Sequence, residues 1–167
     1  MGAGRRLRQG LNALLAFAQP VDQALAERRL TPELQQCFMR LRHSEQLHSL
    51  RVLRALQAEG AVGPDLAVAS LLHDLGKTRW PFPLWQRVLV VVVPALAPAL
   101  ARRLARGSES DPLARPFLLC EQHPAWGARM ARAAGASERA AWLIEHHAGG
   151  AGHDDELARL RAADERS

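Results

Sequence analysis

Helix-forming residues dominate this chain so heavily that little is left from which to build a sheet. Ala, Leu and Arg recur throughout, tyrosine is absent, and the β-branched side chains gather mainly at residues 88–93. Straight-chain residues lose little rotamer freedom in a helix, so the expected fold class is all-α. The 167 residues suit one domain that buries enough surface to fold without disulfide or zinc staples. An N-terminal helical extension over residues 1–30 and a single helical bundle over residues 31–167 are expected, together one compact unit.

Prolines, glycines and small polar residues mark the helix ends. Thr31-Pro32-Glu33 reads as a start, with the Thr31 hydroxyl as cap and Pro32 where its missing donor does no harm. One long helix is expected from there to Gly60, with His48 near its middle. Pro64-Asp65 opens the next, whose apolar run ends in His73-Asp74-Leu75-Gly76-Lys77. A helix over residues 84–104 follows, bent at Pro94 and Pro98. Pro112 opens a helix reaching Glu121 or His123, and Pro124 starts a separate one that stops at Gly135. Ser137-Glu138 begins a short helix ending in His146-His147, and the last helix spans residues 155–165.

Two basic-apolar stretches bear on membranes. Arg5, Arg6 and Arg8 precede an apolar run over residues 11–18, but Asn12 lies in it and an amphipathic first helix is expected rather than a leader. Residues 88–93 are the most hydrophobic, yet Arg87 and the two prolines keep the run short of the roughly 20 residues that span a bilayer. A buried core helix is the first expectation there and a membrane-surface role the alternative. Cys37 and Cys120 have no redox or metal-knuckle spacing, so a reducing cytoplasm is expected. The net charge of +5 favours anionic ligands without selecting nucleic acid, since no basic stripe interleaved with aromatics is present.

A His-Asp pair alone is a weak signal, and the chain has two. His153-Asp154 sits in a glycine-rich loop, where Asp154 or Asp155 is expected to cap the final helix; His43 is expected at the surface. His73-Asp74 instead closes a strongly apolar helix, where polar side chains drawn inward need partners or a cation. Around it stand His48-Ser49-Leu50-Arg51-Val52, Ala69-Ser70-Leu71-Leu72-His73-Asp74-Leu75-Gly76-Lys77, His123-Pro124-Ala125-Trp126-Gly127-Ala128, Ile144-Glu145-His146-His147 and Ala162-Ala163-Asp164. In order and spacing this set resembles the HD-domain superfamily of metal-dependent phosphohydrolases, in its HD-GYP-like and diadenosine-tetraphosphate-hydrolase-like branches. The resemblance covers about three quarters of the chain.

The resemblance implies an HD-type bundle in which His48, His73, Asp74 and Asp164 hold one metal. In the two-metal branches Asp74 bridges to a second ion completed by His123 and His146, with His147 as a possible additional contact. One or two divalent transition metals, Fe, Mn, Co or Zn, suit such a mixed imidazole and carboxylate set. They activate water for attack at phosphorus, with Asp74 in the catalytic centre and Lys77 placed to meet a phosphate oxygen as a point charge. The expected substrate is a phosphomonoester, phosphodiester or phosphoanhydride, with nucleotides foremost. A noncatalytic HD-like module that binds a nucleotide or a protein is the alternative.

Departures narrow the reading. Where the HD-GYP branch has Gly-Tyr-Pro, this chain reads Ala148-Gly149-Gly150-Ala151-Gly152-His153, so hydrolysis of a cyclic dinucleotide is not expected. Trinuclear members place a glutamate one turn before the first histidine, where Ser44 stands here beside Glu45, so no third metal is expected. Trp126, Gly127 and Met130 read as helix packing.

Overall fold

The computed structural model describes residues 19–149 and 153–167, and among these every regular element is a helix. In chain order they are α1 (Gln23–Glu27), α2 (Pro32–Met39), α3 (His43–Glu59), α4 (Pro64–Leu72), a 3-10 turn (Leu75–Arg79), α5 (Leu84–Leu96), α6 (Pro98–Leu104), α7 (Arg115–Ala133), α8 (Glu138–His146) and α9 (Asp155–Arg166). The helix expected over residues 11–18 and part of the glycine-rich loop, residues 150–152, lie outside the described residues.

One principal core joins α1 to α4 with α7, α8 and α9 through Phe38, Leu50, Leu71, Ile144 and Leu160, all with essentially no exposed surface. Each such side chain contributes about 1.5–3 kcal/mol of burial. Leu25, Ala26 and Leu30 belong to the same core. A smaller cluster of Ala114, Leu118, Leu119 and Trp126 lies under Trp80 and Phe82. Trp126 thus serves packing, as expected.

Several boundaries follow from the caps. Thr31 Oγ1 accepts the Leu34 N–H, and Asp154 Oδ1 accepts the Leu157 N–H at the start of α9. Gly60 closes α3 at φ 147°, a conformation that favours glycine.

The single helix expected from Pro32 to Gly60 is two. Backbone N–H groups of Arg40 and Leu41 turn to the carbonyls of Cys37 and Phe38, while the buried Gln46 amide donates to the carbonyls of Phe38 and Leu41. Glu45 caps the new start by accepting the Arg42 N–H at 3.0 Å. No glycine or proline marks the break, because side-chain amide and carboxylate groups satisfy the freed backbone instead.

Contrary to expectation, no new helix starts at Pro124; α7 is continuous through it. The missing proline N–H frees the Cys120 carbonyl four residues back, and that carbonyl accepts from His123 Nδ1 at 3.0 Å. The expected helix over residues 84–104 divides at Ala97, which is held at φ −142°, ψ 70° by the proline that follows it.

Residues 88–93 are not the buried core helix expected. Val88, Val91 and Val92 are exposed; the only buried residue of α5 is Gln86. The helix lies outside α7, and nothing among the described residues covers its outer side.

Two devices position the site. The first is a close crossing of the 3-10 turn over α7, where a Cβ added to Gly76 would lie 2.0 Å from the His123 carbonyl oxygen and 2.8 Å from the Gly127 nitrogen. The second is the docking of α9, whose Leu157, Leu160 and Ala163 are buried. Arg159 donates to the carbonyls of Ala61 and Leu56, and Arg166 pairs with Glu59. Those ties hold Asp164 in place close to the carboxyl end of the chain.

Candidate metal centre

The stretch linking α4 to the 3-10 turn presents two polar side chains to the interior. His73 ends α4 in helical conformation, and Asp74, at φ −91°, ψ 4°, turns the chain into the next element. Both are buried. His48 arrives from α3, His123 from α7, His147 from the end of α8 and Asp164 from α9.

His48 Nε2 donates to Asp164 Oδ1 at 2.8 Å, and the same oxygen lies 3.5 Å from His73 Nε2. Asp74 Oδ1 sits between two imidazoles, 3.7 Å from His73 Nε2 and 3.6 Å from His123 Nε2, while Asp74 Oδ2 accepts from Lys77 Nζ at 2.7 Å. Ring centres of His73 and His147 are 5.0 Å apart, and those of His123 and His147 are 5.2 Å apart. Two groups place one ligand atom per residue within 4.8 Å of one another: His48 with His73 and Asp164, and His73 with Asp74 and His147.

Backbone carbonyls hold the rings in register. His73 Nδ1 lies 3.0 Å from the Ser70 carbonyl, His123 Nδ1 3.0 Å from that of Cys120, and His147 Nδ1 2.7 Å from that of Ile144. A carbonyl accepts only, so each Nδ1 carries the hydrogen and each neutral ring presents an Nε2 lone pair inward. His73 Nε2 is buried and has no hydrogen-bond partner among the described residues.

Electrostatics follow from this packing. Burial disfavours ionised Asp74 and Asp164, but Lys77 and His73 around the first, and His48 and His73 around the second, outweigh it and hold both carboxyls well below the usual range. His73 is pushed down by burial and further up by its two acids, so its net shift is upward. His123 is lowered, chiefly by burial, and His147 is pushed down to about 4 by burial and the neighbouring His73. Lys77 is raised, since the Asp74 carboxylate outweighs its burial.

These shifts give the metal-free protein an expected stability maximum near pH 6.5. Unfolded His147 binds a proton below its ordinary value of 6.5 and the folded ring does not until about pH 4. The His147 contribution is therefore full above 6.5 and declines by about 3 kcal/mol as pH falls through that window. His73, shifted upward, stabilises fully below 6.5 and loses that contribution as pH rises through its folded value. Denaturant midpoints in EDTA across pH 4–9 check this, and His147→Gln is expected to flatten the acid limb. An unchanged acid limb would count against the buried neutral ring.

Of the residues expected at the site, the structure gathers His48, His73, Asp74, His123 and Asp164, and it brings Lys77 against Asp74. It does not bring in His146. That ring stacks on Trp142 with centres 4.5 Å apart, and its Nδ1 bonds the Trp142 carbonyl. His147, expected only as a possible additional contact, points into the cluster instead. The signal for it was the period of α8: Ala140, Leu143 and Ile144 form the buried stripe, and the next position on that stripe is residue 147. Arg161 fixes this helix end by donating to the carbonyls of both His146 and His147. Glu45 serves as the cap of α3 described above.

His147→Ala is therefore expected to weaken metal binding at least tenfold, a loss typical of the groups that organise a metal site, and His146→Ala to change it less than about threefold. Metal titration of the two variants checks this; the reverse order would restore His146 as the ligand.

Comparison of the chain with protein-family models, with curated proteins and with solved structures finds no match.

Proposed function

We propose that the protein is a metal-dependent phosphohydrolase acting on a phosphomonoester, phosphodiester or phosphoanhydride, with a nucleotide as the favoured substrate class. One observation carries the reading: His73 Nε2 is buried without a hydrogen-bond partner and faces one carboxylate oxygen each of Asp74 and Asp164. An unpaired imidazole nitrogen in the interior is costly, and a cation between it and the two acids would remove the cost. The mixed nitrogen and oxygen donors suit Fe, Mn, Co or Zn.

His48, His73, Asp74 and Asp164 would hold one ion. Asp74, His123 and, in place of His146, His147 would hold a second. Bound there, such ions supply Lewis acidity toward phosphate oxygens and toward water. The chain's own residues do the rest of the positioning. Asp74 stays ionised and oriented because Lys77 grips its Oδ2, leaving Oδ1 between the imidazoles. Lys77 is half-buried beside Asp74, and its ammonium would meet a substrate phosphate there as a point charge. Two free thiols, Cys37 and Cys120, accord with a reducing cytoplasmic compartment.

The test is purification without chelator, quantification of bound metal, and assay of nucleotides and a generic phosphate ester after reconstitution with Fe, Mn, Co or Zn. Turnover that depends on metal and disappears in EDTA is expected. Neither metal nor turnover would overturn the proposal, and nucleotide binding indifferent to chelator without hydrolysis would favour the noncatalytic module.

A further inference from the structure

α5 is apolar on both sides: Leu89, Val90 and Val93 are half-buried on its inner side, and a second apolar stripe faces outward. Its buried residue is Gln86, whereas Leu84, Trp85, Val88, Val91, Val92 and Leu96 are all exposed. The positions follow i, i+1, i+4, i+7, i+8 and i+12, so they form one stripe on one side of the helix. The two ends are the most open, with Leu84 77% and Leu96 80% exposed, and Leu100 on α6 is exposed as well. The helix is anchored rather than loose: Arg42 and Arg87 both donate to the Phe82 carbonyl just before it.

Charge singles out the occupant. Lys77, Arg79 and Arg87 are paired with Asp74, Glu109 and Glu45, which leaves Arg102, Arg103 and Arg106, on and just after α6, as the uncompensated charge of residues 75–108. Arg102, Arg103 and Arg106 are exposed and have no ion-pair partner among the described residues. A second copy of the chain laid on this face would bring like charge against like charge. The stripe itself offers a single polar group, the Trp85 indole N–H, whereas protein interfaces carry about one hydrogen bond per 100–200 Å². Hydrocarbon asks for no hydrogen bonds, and anionic headgroups at its border attract arginine. No described helix is long and apolar enough to cross a membrane, so the face would lie on a bilayer. Residues 1–18 have the same chemistry, with Arg5, Arg6 and Arg8, an apolar run and no acid.

We propose that the outer face of α5 and α6 docks the protein on an anionic lipid surface, with Leu84, Trp85, Val88, Val92 and Leu96 entering the headgroup boundary and Arg102, Arg103 and Arg106 meeting lipid phosphates. Docking is read without turnover and is independent of the metal centre.

Co-sedimentation of the full chain with phosphatidylcholine vesicles, with and without 30% phosphatidylglycerol, tests it. Partitioning at least about tenfold stronger onto the anionic vesicles, and weakened by salt, is expected. The double variant V88E/V92E is expected to lose at least about tenfold, and R102E/R103E a similar amount together with most of the salt dependence. All four side chains are exposed, so unchanged circular dichroism and melting confirm that the variants still fold. Equal partitioning onto neutral vesicles, no partitioning by the wild-type chain, or a dimer that V88E/V92E dissociates without any vesicle binding would each overturn it.

Discussion

Asp74→Asn is expected to abolish stoichiometric metal binding and to lower phosphohydrolase kcat/KM by at least about 1,000-fold, which is about 4 kcal/mol of transition-state stabilisation. The side chain does two things at once. Its Oδ1 lies between His73 Nε2 and His123 Nε2, at 3.7 and 3.6 Å, and its Oδ2 holds Lys77 Nζ at 2.7 Å. An amide cannot fill both roles, because it removes the negative charge and, if its oxygen accepts from the ammonium, its NH2 must take the position between the imidazoles, where it cannot act as a ligand. Lys77→Met separates the two roles. That variant is expected to keep its metal, since the ligand oxygens remain, and to lose turnover through the missing phosphate contact. Metal content and initial rates of both variants, with circular dichroism as the folding control, check the pair. Full metal and full activity in Asp74→Asn would remove the aspartate from the centre.

Gly76→Ala is expected to destabilise the fold by more than about 4 kcal/mol, the exceptional end for one methyl group. The added carbon would fall 2.0 Å from the His123 carbonyl oxygen and 2.8 Å from both the His123 carbonyl carbon and the Gly127 nitrogen. These are backbone atoms of α7, so no rotamer change relieves the overlap; the 3-10 turn and α7 must separate. Any such separation also moves His123 away from Asp74. Urea unfolding of the metal-free variant checks the magnitude, and metal titration of whatever remains folded checks the geometric consequence. A loss under about 1 kcal/mol would mean that the crossing is looser than described.

Legibility in the sequence varied with what satisfied each backbone group. The start of α2 at Pro32, of α4 at Pro64 and of α9 at Asp155 was readable, because Thr31 and Asp154 cap locally and Pro32 and Pro64 stand in the first helical turn. The break between α2 and α3 was not, because the Gln46 amide and the Glu45 carboxylate stand in for the glycine that a helix end ordinarily shows. Continuity of α7 was hidden for the converse reason, since the His123 imidazole supplies the hydrogen that Pro124 lacks.

Hydropathy measured the preference of residues 88–93 for burial without revealing whether anything was available to bury them. For the site, no periodicity could bring α3 and α9 together, although His48 and Asp164 meet across 116 residues of chain. Only the order of motifs in a resembled family pointed to those two as partners. Within α8, by contrast, helical period alone separates His147 from His146, and it agrees with the structure.

The most direct measurement is anomalous diffraction at the metal edge from crystals grown with Mn(II) or Zn(II). The expected result is a peak about 2.0–2.3 Å from His73 Nε2 and bonded also to Asp74, with His48 and Asp164 completing its shell. A peak elsewhere, with His73 Nε2 still bare in its buried position, would contradict the metal centre and the hydrolase built on it.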